Sequence, residues 1–202
     1  MRTLYTIGIQ IYALAIHIAS LFNHKAKLMV KGWGEVWSKH TSSNTKDGKK
    51  TAWFHASSMG EFEQTRPLLE TFRSTHPEYR IVVTFFSPSG YEPRKEYPYA
   101  DIVTYLPMDT PGNAKKLTRL IKPNIVFFAK YDFWFNYLNE FRGNNIPTYL
   151  FSATFRPDQY FFKWYGSWFL KQLETCFTHI FVQDQSSLDL LQSNNIKQSQ
   201  IA

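Results

Sequence analysis

A single cysteine, Cys176, occurs in the 202 residues. An intramolecular disulfide is therefore excluded, and the usage fits a reducing compartment. No Cys/His grouping has metal-ligand spacing, so no structural zinc is expected. No G-x-G-x-x-G run is present, so nothing argues for a dinucleotide, and no cofactor is expected. The chain also lacks internal repeats and low-complexity tracts. Positive charge is scarce where nucleic-acid binding would need it. Residues 1–50 hold 8 Lys/Arg and 2 Asp/Glu, a balance of +6, whereas residues 51–202 hold 15 and 14, a balance of +1. A nucleic-acid partner would want a basic face on the folded domain. A basic N-terminal arm instead suits a membrane-proximal position.

Charge is missing altogether from residues 4–22, LYTIGIQIYALAIHIASLF. A helix of that length spans roughly 30 Å, about the hydrocarbon thickness of a bilayer. Gln10 and His17 weaken the case for a full span, because polar groups in lipid are costly. They lie on one helical face, which points to a helix in the interface plane or to a span with one face covered by protein. Lys25, Lys27 and Lys31 follow at once, and charge on that side predicts a cytoplasmic globular domain. A signal peptide is the rival reading, opposed by the lone Arg2 before the apolar run and by a poor cleavage site at Ala19-Ser20-Leu21. Residues 1–24 are thus expected to be a membrane-anchor helix and 25–50 a basic linker. Within the latter, 39–51 is polar, without periodicity, and reads as a loop.

Hydrophobic residues make up 44% of the chain, enough for a proper core. From residue 51, apolar runs at 52–56, 80–86, 102–106, 125–129, 148–151 and 179–183 alternate with helical stretches at 60–75, 89–97, 112–121, 133–142, 160–174 and 185–193. The runs are rich in Val, Ile and Phe and apolar throughout, which implies burial on both faces and hence a parallel sheet. Six β/α units over 51–202 predict a Rossmann-like, doubly wound α/β domain. Ligands in such sheets bind beyond the carboxyl ends of the strands, so function is sought at 57–60, 87–90, 107–111, 130–133, 152–156 and 184. The chain stops just after the sixth unit and is expected to be one half of a longer protein.

Ser58-Met-Gly-Glu61 has the S-x-x-E spacing of a capping box, in which Ser58 and Glu61 serve each other's backbone amides. A second reading competes. First-turn amides attract anions, and a carboxylate there can take a proton from a substrate hydroxyl. The helix dipole lowers the pKa of such a carboxylate, so a working base needs burial or an apolar cover to raise it again. Ser87-Pro-Ser-Gly90 is either an ordinary turn with a Ser cap or a cradle for phosphate or sugar, with Ser87, Ser89 and Gly90 in it. Lys130-Tyr-Asp-Phe-Trp-Phe-Asn136 ends an apolar run with charge. Asp132 caps the next helix there, or Lys130, Asp132 and Asn136 form a polar recognition cluster. The aromatic-rich stretch 155–170 is either a core helix or a surface dipping into a membrane interface. His55 and His179 read as packed, structural residues.

His55-Ala-Ser-Ser-Met-Gly-Glu61, Ser87-Pro-Ser-Gly90, Tyr105-Leu-Pro-Met-Asp-Thr-Pro111 and Asp132-Phe-Trp-Phe-Asn136 occur in order. Together, behind an apolar N-terminal segment, they resemble the N-terminal half of the 3-deoxy-D-manno-octulosonic acid (Kdo) transferases of Gram-negative bacteria. The resemblance covers essentially the whole chain. It implies a GT-B glycosyltransferase whose N-terminal domain binds a lipid A precursor and whose second domain holds most of the donor, CMP-Kdo. It implies that Glu61 is the general base, that Ser58 and Gly60 position the site, and that the loops after the second and fourth strands bind acceptor sugar or phosphate. It also implies an inner-membrane location with the globular part on the cytoplasmic face. The sequence departs from the family where E-T-E-L-W-P-N is usual. Lys130 replaces the first carboxylate and Asp132 shortens the second; Lys130 is then placed to meet an acceptor phosphate. Of the asparagine-arginine pair expected after the fifth strand, only Arg156 has a counterpart. The donor half is missing, so these residues alone are expected to be inactive. Two rivals stand beside this reading: a GT-B enzyme with another lipid acceptor, and a non-catalytic membrane-tethered module that binds anionic lipid.

Overall fold

The computed structural model describes residues 1–39 and 48–202. Its centre is a six-stranded, wholly parallel sheet in the order β3-β2-β1-β4-β5-β6. The strands are β1 (Lys50–Ala56), β2 (Tyr79–Phe85), β3 (Ile102–Tyr105), β4 (Ile125–Ala129), β5 (Thr148–Ala153) and β6 (His179–Val182). Helices α3 (Met59–Thr75), α4 (Pro88–Arg94), α5 (Pro111–Ile121), α6 (Phe135–Gly143), α7 (Ser167–Cys176) and α8 (Gln185–Ser193) follow them in turn. This is the doubly wound Rossmann-like fold expected from the alternating runs.

The apolar runs are continuous because both sheet faces are covered. Along β1, Trp53 meets Tyr137 and Phe141 of α6 edge-on, with centroids 6.0 and 5.1 Å away. The next residue, Phe54, turns the other way, onto Phe72 of α3 and Phe127 of β4. The strand order reverses between β1 and β4. In a doubly wound sheet the loops leaving two such strands diverge to opposite faces and leave a crevice. Here those loops are 57–58 and 130–134.

Two N-terminal helices precede the sheet, α1 (Arg2–Ala19) and α2 (His24–Lys39). The span expected as a basic linker is therefore mostly helix. Asn23 Oδ1 accepts from the Ala26 amide at 3.1 Å, and Ala26, Trp33 and Val36 are buried. Gly32 lies flat on the Tyr105 ring, where an added Cβ would sit 2.2 Å from it. Lys25, Lys27 and Lys31 are exposed between the buried positions and mask the helical period. Residues 40–47 of the expected loop lie outside the described residues.

Helix α1 lies on the domain. Tyr5 Oη donates to Asp109 Oδ2 at 2.7 Å, Arg2 and Thr6 meet the Asn136 side chain, and Tyr5 packs on Phe135 and Trp168. The other face carries Leu4, Ile7, Ile11, Leu14 and Ile18, all exposed. Their 3- and 4-residue spacing forms one apolar stripe. Among the described residues no single helix is long and apolar enough to cross a membrane; α1 and α2 together are bent by 118°.

The stretch expected as one helix over 160–174 is broken. A 3-10 turn at Tyr160–Phe162 leads through a reversal at Gly166 into α7. The Gly166 backbone passes so close to the Tyr160 carbonyl that a Cβ would stand 2.1 Å from it, so the chain doubles back only with glycine there. The aromatics divide accordingly. Phe155 and Phe161 join the core around Phe133, whereas Trp164 is 93% exposed.

Candidate active site at the sheet's switch point

The stretch leaving β1 is Ala56-Ser-Ser-Met-Gly-Glu61, and Ser58 is the N-cap of α3. The Ser58 amide donates to Glu61 Oε2 at 2.9 Å, and the Ser58 side chain covers the Glu61 amide in return. The capping box read from the spacing therefore exists. Glu61 is also half-buried, and burial pushes its pKa above the ordinary carboxylate value. The Ser58 and Ser57 amides and the Lys130 ammonium pull in the other direction without cancelling it. The capping carboxylate is thus also one whose pKa is raised. Gly60 leaves the first turn open, since an added Cβ would meet nothing within 4 Å.

Asp132 comes from the loop after β4, and β1–β4 pairing brings it to Ser57. Its Oδ1 accepts from Ser57 Oγ at 2.6 Å and its Oδ2 from the Ser57 amide at 2.9 Å. Two successive amides, Ser57 and Ser58, thus each hold one carboxylate, which sets Asp132 and Glu61 side by side. Asp132 is buried, and burial together with the Glu61 charge pushes its carboxyl up to about 8. Two neighbouring carboxylates in a buried site do not both ionise readily. Burial and mutual repulsion therefore favour retention of a proton by the pair.

Beneath them lies His55, fully buried, its pKa lowered to about 3 by burial. The ring is therefore neutral. Trp134 Nε1 donates to its Nε2 at 3.1 Å, so Nδ1 carries the hydrogen and donates to Thr84 Oγ1 at 2.8 Å and to the Thr84 carbonyl at 3.0 Å. Trp53 Nε1 also donates to Thr84 Oγ1. The local expectation of a packed His55 holds. That expectation does not reach the floor that His55 and Trp134 make under the carboxylate pair, because Trp134 is 79 positions away.

The other expected site residues are placed unevenly. Lys130 follows β4 in a left-handed conformation, φ 54°, and acts electrostatically on Glu61. That conformation costs an L-residue roughly 1–2 kcal/mol, and such outliers cluster at functional sites. Ser87 caps α4 by accepting from the Ser89 amide at 3.2 Å, and its own amide donates to the Ser57 carbonyl at 2.8 Å. The Ser87 loop is thereby tied to the Ser57 loop. Ser89 is exposed. Gly90 is a packing residue, since a Cβ would meet the Phe85 ring at 2.3 Å. Asn136 is 1% exposed and committed to protein partners, donating to the Asp109 carbonyl at 2.7 Å beneath α1. Arg156 is exposed on the loop after β5.

Asp109 is legible in the sequence only as part of the Tyr105–Pro111 motif. It is fully buried and caps α6, with Oδ2 accepting from the Asn136 amide at 3.0 Å and Oδ1 from the Tyr137 amide at 2.9 Å. Burial pushes its carboxyl up to about 6. Asp109 therefore links α1, through Tyr5, to the helix that leaves the Asp132 loop. Among the described residues no group of three or more His, Cys, Asp or Glu side chains is arranged to hold a metal ion. An apolar hollow of about 600 Å³ lies against β4–β6, lined by Phe127, Tyr149, Phe151 and Phe181 among others, and Glu61 is not part of its wall.

Solved structures share the architecture at low identity. A UDP-N-acetylglucosamine 2-epimerase superposes with a TM-score of 0.57 at 16% identity, over 76% of this chain and 47% of that one. The Neisseria meningitidis UDP-GlcNAc 2-epimerase bound to UDP-GlcNAc gives 0.55 at 13%, over 76% and 44%. At such identities the likeness concerns the fold alone. Among curated proteins, the 3-deoxy-D-manno-octulosonic acid transferase of Chlamydophila psittaci is 36% identical over 91 residues, 44% of this chain and 21% of that protein. The Aquifex aeolicus protein of the same name is 33% identical over 90 residues, 44% of this chain and 25% of that protein. The matched part is therefore a quarter or less of these relatives' length. The family model described as 3-deoxy-D-manno-octulosonic-acid transferase (kdotransferase) matches residues 31–202, from the middle of α2 to the last residue. With most of its length matched, and the Glu61 and Asp132 loops within the match, the chain belongs to the 3-deoxy-D-manno-octulosonic-acid transferase family.

Proposed function

We propose that this chain is the acceptor-binding half of a glycosyltransferase that moves Kdo from CMP-Kdo to a lipid A precursor in lipopolysaccharide biosynthesis. The observation that carries the reading is the placement of Glu61. A carboxylate with a raised pKa stands at the switch point, on an open first turn, in a chain of this family. In the proposed reaction Glu61 takes the proton of an acceptor sugar hydroxyl. The freed oxygen attacks the anomeric carbon of Kdo, and CMP departs with the bonding electrons. Lys130 offers its charge to an acceptor phosphate. Ser87, Ser89 and Arg156 lie on neighbouring strand-end loops, where sugar or phosphate groups of a large acceptor would reach. The donor sits mainly on a second domain of the GT-B type, so the 202 residues alone are inactive.

The test is transfer itself. The complete enzyme, given CMP-Kdo and a purified lipid A precursor, is expected to yield a Kdo-bearing lipid. Transfer only to a different lipid would replace the acceptor in this reading. Lipid binding without transfer under all donors would favour the non-catalytic module.

The membrane part of the proposal rests on the α1 stripe. With its inner face docked, α1 suits a helix lying in the inner-membrane interface on the cytoplasmic side. Half-burial of one such aliphatic side chain is worth about 1 kcal/mol. Changing Ile7, Ile11 and Leu14 together to serine is thus expected to weaken binding to anionic vesicles roughly 100-fold. Unchanged vesicle sedimentation by that variant would remove α1 as the anchor.

A further inference from the structure

Two carboxylates occupy the switch point, and base chemistry needs only one of them. We propose that Asp132 works as a neutral carboxylic acid whose O–H is donated to the Glu61 carboxylate, which makes it a positioning residue for the base. The inference rests on Glu61 being the base, as proposed above.

The geometry carries it. Ser57 and Ser58 are consecutive, and their amides hold Asp132 and Glu61 respectively, each at 2.9 Å. Both carboxyl groups therefore face the same small volume. Asp132 Oδ2 also stands 3.5 Å from His55 Nε2. That nitrogen already accepts from Trp134 Nε1, and its ring is neutral, so it has no hydrogen to offer. An ionised Asp132 would direct negative charge at a lone pair and at Glu61 together. A protonated one removes the first repulsion and turns the second into a hydrogen bond.

The groups facing Asp132 are His55 from β1, Glu61 from α3 and Ser57 between them, with Lys130 two residues back on its own loop. Of these, His55 stays neutral through the working range and Lys130 acts on Glu61. Glu61 is the anion among them, and burial and that anion together raise the Asp132 carboxyl. The donated hydrogen bond lets Glu61 stay ionised in a half-buried place while its second oxygen meets the acceptor hydroxyl. Proton balance is simple. The hydroxyl proton passes to Glu61, the pair then holds two protons, and one returns to water after the sugar has been transferred.

The test has a spectroscopic arm and a kinetic arm. In the complete enzyme labelled with 13C at Asp carboxyls, one resonance is expected to titrate near pH 8 and to vanish in Asp132→Asn. In Glu61→Gln the same resonance is expected to titrate at least about one pH unit lower, because the neighbouring charge has gone. In the complete enzyme Asp132→Asn, which still offers an N–H to Glu61, is expected to keep transfer within about 3-fold at pH 7, and to lack the fall above pH 8 that is expected of the unaltered enzyme. Asp132→Ala, with nothing to donate, is expected to lose about 10-fold or more in kcat. An Asp132 resonance that titrates below about pH 5, or an Asn variant as impaired as the Ala variant, would overturn the proposal. Should Glu61→Gln retain full transfer, the base reading fails, and the Asp132 titration still reports separately on the pair.

Discussion

Replacing Glu61 with glutamine in the complete enzyme is expected to lower kcat for sugar transfer by about 10²- to 10⁴-fold, the usual contribution of a positioned base. The choice of glutamine matters because Glu61 has two jobs. As a cap it accepts from the Ser58 amide at 2.9 Å. A glutamine oxygen accepts the same bond, and S-x-x-Q is as good a capping box as S-x-x-E. The variant should therefore fold and melt like the original, within about 1 kcal/mol. What it cannot do is take a proton. Glu61→Ala removes both functions and would confuse them. Side-by-side measurement of kcat and the thermal midpoint decides: full activity with unchanged stability would leave the carboxylate a cap and nothing else. The same variant should also show little change in acceptor KM, because the base is called on in the transition state and not in the ground-state complex.

The second large effect is expected on stability, from Asp109→Ala. Three donors lose their acceptor at once: the Asn136 and Tyr137 amides and the Tyr5 hydroxyl. Each buried group left unpaired costs about 1–3 kcal/mol. Relief of the buried charge returns part of that, so a net loss of about 2–4 kcal/mol is expected in chemical denaturation. Because Tyr5 belongs to α1, the loss should also show as easier proteolysis after α1 detaches. Tyr5→Phe removes one hydrogen bond and is expected to cost only about 1 kcal/mol. Asp109→Asn keeps an acceptor on the side chain and separates charge from capping.

The pH dependence of stability at this position has a definite sign. Burial raises the Asp109 carboxyl from 3.8 to about 6 in the folded chain. Between those values the folded state binds more protons than the unfolded one, so this group's contribution to stability falls as pH rises. The shift corresponds to about 3 kcal/mol at 1.36 kcal/mol per unit. The contribution is fully present below about pH 4 and lost by about pH 7. Asp109→Asn should lack the slope. His55 runs in the opposite direction over an overlapping window, since its pKa is lowered to about 3 and its contribution is lost on acidification. The difference between the unfolding curves of the unaltered chain and of Asp109→Asn, and not either curve alone, isolates Asp109.

The strands can be found from the chain alone, because a parallel sheet covered on both sides leaves no solvent face and every residue in a run such as 125–129 is apolar. The fold class follows from their alternation with helical stretches. The Ser58–Glu61 cap is equally legible, since its two partners are three residues apart and the bond is local. Helix α2 is not legible, because its buried stripe of Ala26, Trp33 and Val36 is interleaved in sequence with the exposed Lys25, Lys27 and Lys31. The break at Gly166 is hidden for a related reason. Aromatic residues crowd 160–169, and only the approach of the Tyr160 carbonyl shows why the helix stops.

The order of residues along the chain carries a set of local devices: buried strands, helix caps, a charge-free apolar run with basic residues after it, and one glutamate at the head of a helix. What that glutamate stands beside is settled only on folding. Asp132 is 75 positions from Ser57, and His55 is 79 from Trp134. No local propensity encodes those meetings. They follow from β4 pairing directly with β1 while β2 and β3 are laid down on the other side. The same crossover puts Asp109 under α1 and docks one face of that helix on the domain. Pairwise hydrogen bonds between remote residues arise from chain topology, and topology is a property of the whole fold.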